Sequence, residues 1–291
     1  MICTGQLGAT SDPRRGMVLV AVLWSISLLS ALAMATSVTF RGFAGVMSVE
    51  RDRVQADALL TAGLEMAAGI VDGLRDAPLA DIETSVTLGT GAVRLRLNDE
   101  GGRIDIGRAP LALIASMLRS VGAPQAAAND LARQIVERRK SRGPANTTTT
   151  VPPFTDIAQL ASIPGMSPDW IAALAPLATV FGGETVNPLT APPGVIAALP
   201  GLDADRIDAF LKARRGAANA DALVQMIAPA QRYLSVKPQR VASVDLTAKL
   251  ASGYASAARA VIVVLPQDSQ PYRVLTWTAV KSSIVRPTTR G

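Results

Sequence analysis

The chain has 291 residues, enough for one or two domains; 49% are hydrophobic but only 4% aromatic, so any core is built mainly from Ala, Leu, Val and Ile. There is no histidine, and the single cysteine, Cys3, precedes the first apolar segment. That excludes Ser-His and Cys-His catalysis and His-ligated zinc, and a chain trimmed of its leader also loses thiol chemistry and disulfides. The formal net charge of +6 permits an acidic partner, but the arginines are scattered. The one dense run, Arg138-Arg139-Lys140 with Arg142, reads as a solvated basic face.

Met17 to Phe40 carries no charge. About 24 helical residues at roughly 1.5 Å each span the hydrocarbon core of a bilayer. Arg14 and Arg15 stand directly before this stretch, which keeps the short leader cytoplasmic and sends the bulk of the chain outward. Three readings fit such an N-terminus: a secretory signal peptide cut after Ala33-Met34-Ala35, a simple one-pass anchor, or a class III leader. The last, residues 1–16, is cut at Gly16-Met17 and leaves the apolar segment in place. Arg14-Arg15-Gly16 before an uninterrupted apolar run suits it best, and resembles type IV pilins and pseudopilins.

From Phe40 the sequence continues without a proline to Asp76, and Pro78 marks the stop. This predicts one long helix, with a transmembrane part over 17–40 and an amphipathic part over 41–76. In the second part Leu60, Leu64, Ala67, Val71 and Leu74 recur at spacings of four and three, a single apolar stripe. A signal peptide would not run on into such a helix. Two readings of the stripe stay open: it is shared between the protein's own sheet and partner helices, with the small residues Gly63, Ala67 and Ala68 as the candidate partner interface, or all of it packs on the protein's own domain. Ordinary pilins carry a glutamate at the fifth mature position, where this sequence has Ala21. A carboxylate at the bilayer centre costs roughly 2.5–3.5 kcal/mol, which pairing with a neighbour's terminal amine offsets inside a filament. A subunit without the acid suits the tip, where the missing pair does no harm.

Residues 83–88, 92–98 and 103–106 read as short antiparallel strands, with Gly89, Gly91 and Gly101-Gly102 at turns. Asp99-Glu100 looks like a carboxylate pair, but neighbouring strand residues point to opposite faces and glycines follow, so no catalytic role is assigned. From Leu111 to about Tyr233 the pattern is helical. Leu160-Ala-Ser-Ile163-Pro164-Gly165-Met166 matches Ile196-Ala-Ala-Leu199-Pro200-Gly201-Leu202 at an offset of 36 residues. Each copy reads as a helix end, a Pro-Gly turn, an N-cap (Ser167 or Asp203) and a second helix, a helix-hairpin-helix unit. DNA-binding hairpins usually place a second glycine where this sequence has Ser167 and Asp203. Asp203 would repel a phosphate there, so no nucleic-acid partner is expected. Thr147 to Thr150, among Pro144, Pro152 and Pro153, reads as an exposed loop. Residues 257–265 and 272–280 read as a hairpin-like strand pair, so strands flank the helical block on both sides, as in one sheet interrupted by an insertion.

Taken in order, these pieces resemble the general secretion pathway protein K family, minor pseudopilins of type II secretion. The likeness is carried by Arg15-Gly16-Met17, by Arg53-Val-Gln-Ala56 through Ala62-Gly63-Leu64-Glu65, and by Asp99-Glu-Gly-Gly-Arg103-Ile-Asp-Ile106. Leu160 to Trp170 and Val186-Asn187 through Thr190-Ala191-Pro192 to Gly201 carry the rest. The resemblance implies an α+β fold: a pilin-like long N-terminal helix on an antiparallel sheet (77–108 and 236–291), with an inserted helical domain (109–235). It implies no enzymatic activity and no cofactor. It further implies inner-membrane anchoring with a periplasmic C-terminal domain, and N-methylation of Met17. The implied partners are the other minor pseudopilins, the major pseudopilin and the prepilin peptidase. Gly107, and Pro188-Leu189, depart from the family pattern. Calcium is associated with the family's inserted domain, but residues 138–142 are basic where relatives are acidic, so no metal site is carried over. Two alternatives stay open: a membrane-anchored hairpin protein that binds or takes up DNA, and a secreted soluble binding module.

Overall fold

The computed structural model describes residues 13–75, 77–79, 81–140, 152–216 and 219–280. The first twelve residues of the expected leader, Asp76, and the threonine run 147–150 lie outside the described residues. The first element is α1 (Pro13–Gly73), a helix of 61 residues. Pro13 suits a helix start, because its missing N–H would have had no partner there, and no further proline follows before Pro78. Residues up to Val54 form one compact unit and residues from Gln55 onward a second. In the first, Met17–Ala35 has a mean hydropathy of 2.3 and none of it is buried, so it is long and apolar enough to cross a membrane.

The described residues of the second unit hold seven strands: β1 (Ile82–Leu88), β2 (Gly91–Asp99), β3 (Ile104–Asp105), β4 (Ala178–Thr179), β5 (Val241–Leu250), β6 (Ala255–Val264) and β7 (Tyr272–Val280). Five of them form a sheet in the order β1-β2-β5-β6-β7, with every neighbouring pair antiparallel. Strands from both sides of the helical block therefore meet where β2 pairs with β5, as the interrupted-sheet reading predicts. Alternation sets the register: Val93, Leu95 and Leu97 are buried between exposed Arg94 and Arg96, and Leu95 stands opposite Leu246. The Ala56–Val71 part of α1 covers this face together with residues of β2, β5 and β6, forming the first core.

β5 has no counterpart in the sequence-based reading, because its alanines and its Asp and Lys blur the β-branched signature. The expected strand over 103–106 also differs. After Asp99 a one-turn 3-10 helix (Glu100–Gly102) redirects the chain, and β3 leaves the antiparallel sheet to pair in parallel with β4. Ile104 and Ile106 consequently belong to a second core, shared with the helical insertion.

That insertion contains α2 (Leu111–Ser120), α3 (Gln125–Lys140), α4 (Pro168–Leu174), α5 (Pro193–Ala197), α6 (Ala204–Arg214) and α7 (Ala220–Met226), with 3-10 turns at Ile157–Ser162 and Ala228–Tyr233. Phe154 and Phe210 are fully buried in its core. Both Pro-Gly turns adopt the expected backbone: Gly165 and Gly201 have φ of +85° and +81°, which glycine reaches without steric cost. Ser167 then caps α4, and Asp203 caps α6 by accepting from the Arg206 N–H at 2.8 Å. The element before the first turn is 3-10 rather than α.

Candidate functional site

The site read from the sequence begins on α1. Met17 is 73% exposed, and Ala21 is exposed one turn before Ser25, whose hydroxyl donates to the Ala21 carbonyl. Gly16 lies within α1.

The small residues expected at a partner face are not exposed. Gly63, Ala67 and Ala68 are all buried, beside Leu60, Leu64 and Val71 and under the sheet. A Cβ at Gly63 would stand 2.8 Å from Val93 Cγ2 and 2.9 Å from Leu246 Cδ2. The small residues bring α1 close to β2 and β5 of its own domain, so their side chains are not a free surface. Spacing defined the stripe; which surface covers it depends on the sheet.

Sequence reading missed a polar joint between the two cores. Asp99 accepts from the Gly101 N–H at 2.8 Å and from the Thr190 hydroxyl at 2.6 Å. Glu100 is buried, pairs with Arg103 at 3.1 Å and accepts from the Thr179 hydroxyl. The Gly101 carbonyl accepts from the Asn187 N–H at 2.8 Å, while a Cβ on Gly102 would meet the Thr190 backbone at 2.9 Å. The carboxylate pair is therefore structural: each acid ties the end of β2 to a different segment of the insertion. Its partners lie 79 and 91 residues away in sequence, which no local pattern reveals.

The basic run is likewise not a uniform solvated face. Arg139 is half-buried and donates to the carbonyls of Ile106 and Ala109 at 2.9 and 2.8 Å; Arg138 lies over the Phe154 ring at 5.3 Å, and Lys140 pairs with Glu137. Arg214 closes a similar gap, donating to the Pro188 and Ala191 carbonyls at 2.9 and 2.6 Å.

Beside Arg139, Asp105 is buried; Oδ1 accepts from the Gly107 N–H at 2.6 Å, whereas Oδ2 has no well-formed hydrogen bond among the described residues. Burial raises its pKa, against the opposing pull of the Gly107 N–H, Arg108, Arg139 and the more distant Gly182 N–H. With the folded pKa above the unfolded value, the folded chain holds the proton more tightly between the two. Stability from this group thus falls as pH rises through that window. Asp105→Asn keeps the acceptor for Gly107 and removes the desolvated charge. Its expected result is a higher melting temperature than wild type at pH 7 and a shallower loss of stability from acid to neutral pH; superimposable curves would refute the assignment.

Among the described large side chains outside α1, the most exposed apolar group lies on β7: Val274, Leu275, Trp277 and Val280 are 43–50% exposed.

The geometry defines a class: a long N-terminal helix, apolar first and packed on an antiparallel sheet second, with a helical insertion between central strands, which is a pilin-like fold. No family model matches the sequence, and no curated protein matches it. Among solved structures, the fold is similar to a chain in the crystal structure of the GspK-GspI-GspJ complex from the enterotoxigenic Escherichia coli type 2 secretion system. The TM-score is 0.59 and the identity 13%, over 81% of this chain and 99% of that chain.

Proposed function

We propose that this chain is a membrane-anchored minor pseudopilin of a type II secretion system, which sits at the pseudopilus tip and helps initiate its assembly for protein export across the outer membrane. The observation that carries the proposal is the shared fold, which spans nearly the whole of a chain from a complex of three such components at an identity too low for local sequence similarity to explain. Its expected partners are the counterparts of the other two components in that complex, together with the major pseudopilin, and the prepilin peptidase as the processing enzyme. Met17–Ala35 would hold it in the inner membrane, with the second unit in the periplasm. Ala21, where a filament-interior subunit would carry an acid, supports the tip position.

The role needs binding and no bond-making chemistry, which agrees with the structural use of Asp99 and Glu100. The hairpin DNA-binding alternative loses ground to Asp203, whose carboxylate caps the α6 N-terminus and takes the place a phosphate would need.

Mass spectrometry of the membrane-extracted chain tests the processing. The expected N-terminus is Met17, bearing one methyl group. An N-terminus near Thr36 would overturn the pilin reading in favour of a secreted module.

A further inference from the structure

β7 is an edge strand of the five-stranded sheet. Directly opposed residues of an antiparallel pair share a face. Tyr272, Val274, Trp277 and Ala279 stand opposite Val264, Ile262, Ala260 and Ala258. Those four β6 residues are buried in the core that α1 covers, so the β7 row points to the α1 side of the sheet. Yet Val274 is 43% and Trp277 45% exposed. Beyond Tyr272, covering by α1 leaves the last strand exposed.

The two edges of the sheet differ. Charge commonly guards an exposed edge, and β1 has it: Glu83 pairs with Arg94, and Asp81 before the strand with Arg96. The only charged residue of β7 is Arg273, which is held by Asp268 at 2.6 Å.

The α1 flank beside this uncovered row is identified by one contact: the Tyr272 hydroxyl donates to Glu65 Oε1 at 2.7 Å. Helix positions seven and eight apart share a flank, so Asp57 and Asp72 lie on the same side as Glu65, with Thr61 between the first two. The apolar row thus lies beside the flank of α1 that carries these three carboxylates, Glu65 being the one that reaches β7.

We propose that this side of β7 docks an α-helix of a partner chain, lying beside α1, with apolar residues toward Val274 and Trp277 and Lys or Arg toward Asp57, Glu65 and Asp72. A helix is the matching occupant because the row continues the same sheet face on which α1 packs, and the acidic flank of α1 selects a basic one. The inference rests on the pseudopilin reading, which supplies partners with a long helix of their own.

The test co-expresses the full-length chain with the other minor pseudopilins of the same secretion system, extracts them in detergent and measures co-purification. Wild type is compared with Trp277→Glu and with the double charge reversal Asp57→Lys/Asp72→Lys, each checked by a thermal melt. Both sets of residues are exposed, so unchanged melting temperatures are expected, with recovery of one partner reduced about tenfold or more. If wild type recovers none of these partners, the pseudopilin reading itself fails. If wild type recovers them and both variants do so equally, the docking surface is overturned and the reading stands. As a further check, Val274→Cys in a chain also carrying Cys3→Ser leaves one thiol; a disulfide-linked species of twice this chain's mass would make the occupant a second copy and overturn the proposal.

Discussion

Gly63→Glu is expected to abolish the native fold of the second unit. The position is buried, and even a single added carbon meets Val93 and Leu246 inside van der Waals distance. A glutamate would add a charge with no partner in an apolar layer made of Leu60, Leu64, Leu95 and Leu246. An uncompensated buried charge alone costs about 3–5 kcal/mol, against a total stability of roughly 5–15 kcal/mol for a domain. Gly63→Ala, which overpacks without charge, should cost about 1–3 kcal/mol and leave a cooperative transition at lower temperature. Ala68→Glu, at 6% exposure on the edge of the same layer, should fall between the two. Circular-dichroism melts of the full-length chain in detergent read all three. A Gly63→Glu chain that melts like wild type but loses its partners would restore these small residues to an intermolecular interface and refute their assignment to the domain's own core.

Glu100→Ala is expected to show the second largest effect, about 3 kcal/mol, because it leaves the partly buried Arg103 cation without its carboxylate and a buried hydroxyl without its acceptor. Arg103 would lose its carboxylate at 3.1 Å, and the buried Thr179 hydroxyl its acceptor. Since Thr179 lies in β4 and Glu100 directly follows β2, the loss falls on the joint between the sheet and the insertion. Limited proteolysis should cut the variant faster between the two cores before either core is lost. A Glu100→Ala chain with wild-type melting and cleavage would show that this buried acid does not hold the joint, and would reopen a chemical role for it.

Much of the architecture was legible in the sequence, and the reason is periodicity. A run of apolar residues without charge, then a four-and-three stripe, leaves few alternatives to one long helix. Strict alternation at Val93, Leu95 and Leu97 leaves few alternatives to a half-buried strand. The Pro-Gly turns could be read because glycine is the residue that takes φ near +80° without strain, as Gly165 and Gly201 do. β5 could not be read this way: Val241 to Val244 is buried continuously, with two small residues and no alternation.

The candidate site was less legible. Gly63, Ala67 and Ala68 were recognisable as places of close approach, but a small side chain admits any neighbour, and spacing along one helix does not say whether that neighbour is the chain's own sheet or another subunit. Asp99, Glu100 and Arg139 are polar residues in a stretch that looks solvated; what makes them structural are carbonyls and hydroxyls brought in from distant segments.

By itself, the sequence determined the long N-terminal helix with its apolar first part, four of the five strands of the main sheet, the absence of histidine and of any thiol beyond Cys3, and the presence of a helical insertion between strands. These follow from residue type and local spacing, which act through the backbone of a single element. Only the tertiary structure decided which face of α1 is covered, that the 103–106 segment leaves the main sheet, that the acids at the end of β2 bind the insertion, and that Val274 and Trp277 stay exposed at an unguarded edge. Each of those depends on what another element removes from water, and burial is a property of pairs of surfaces that no single segment contains.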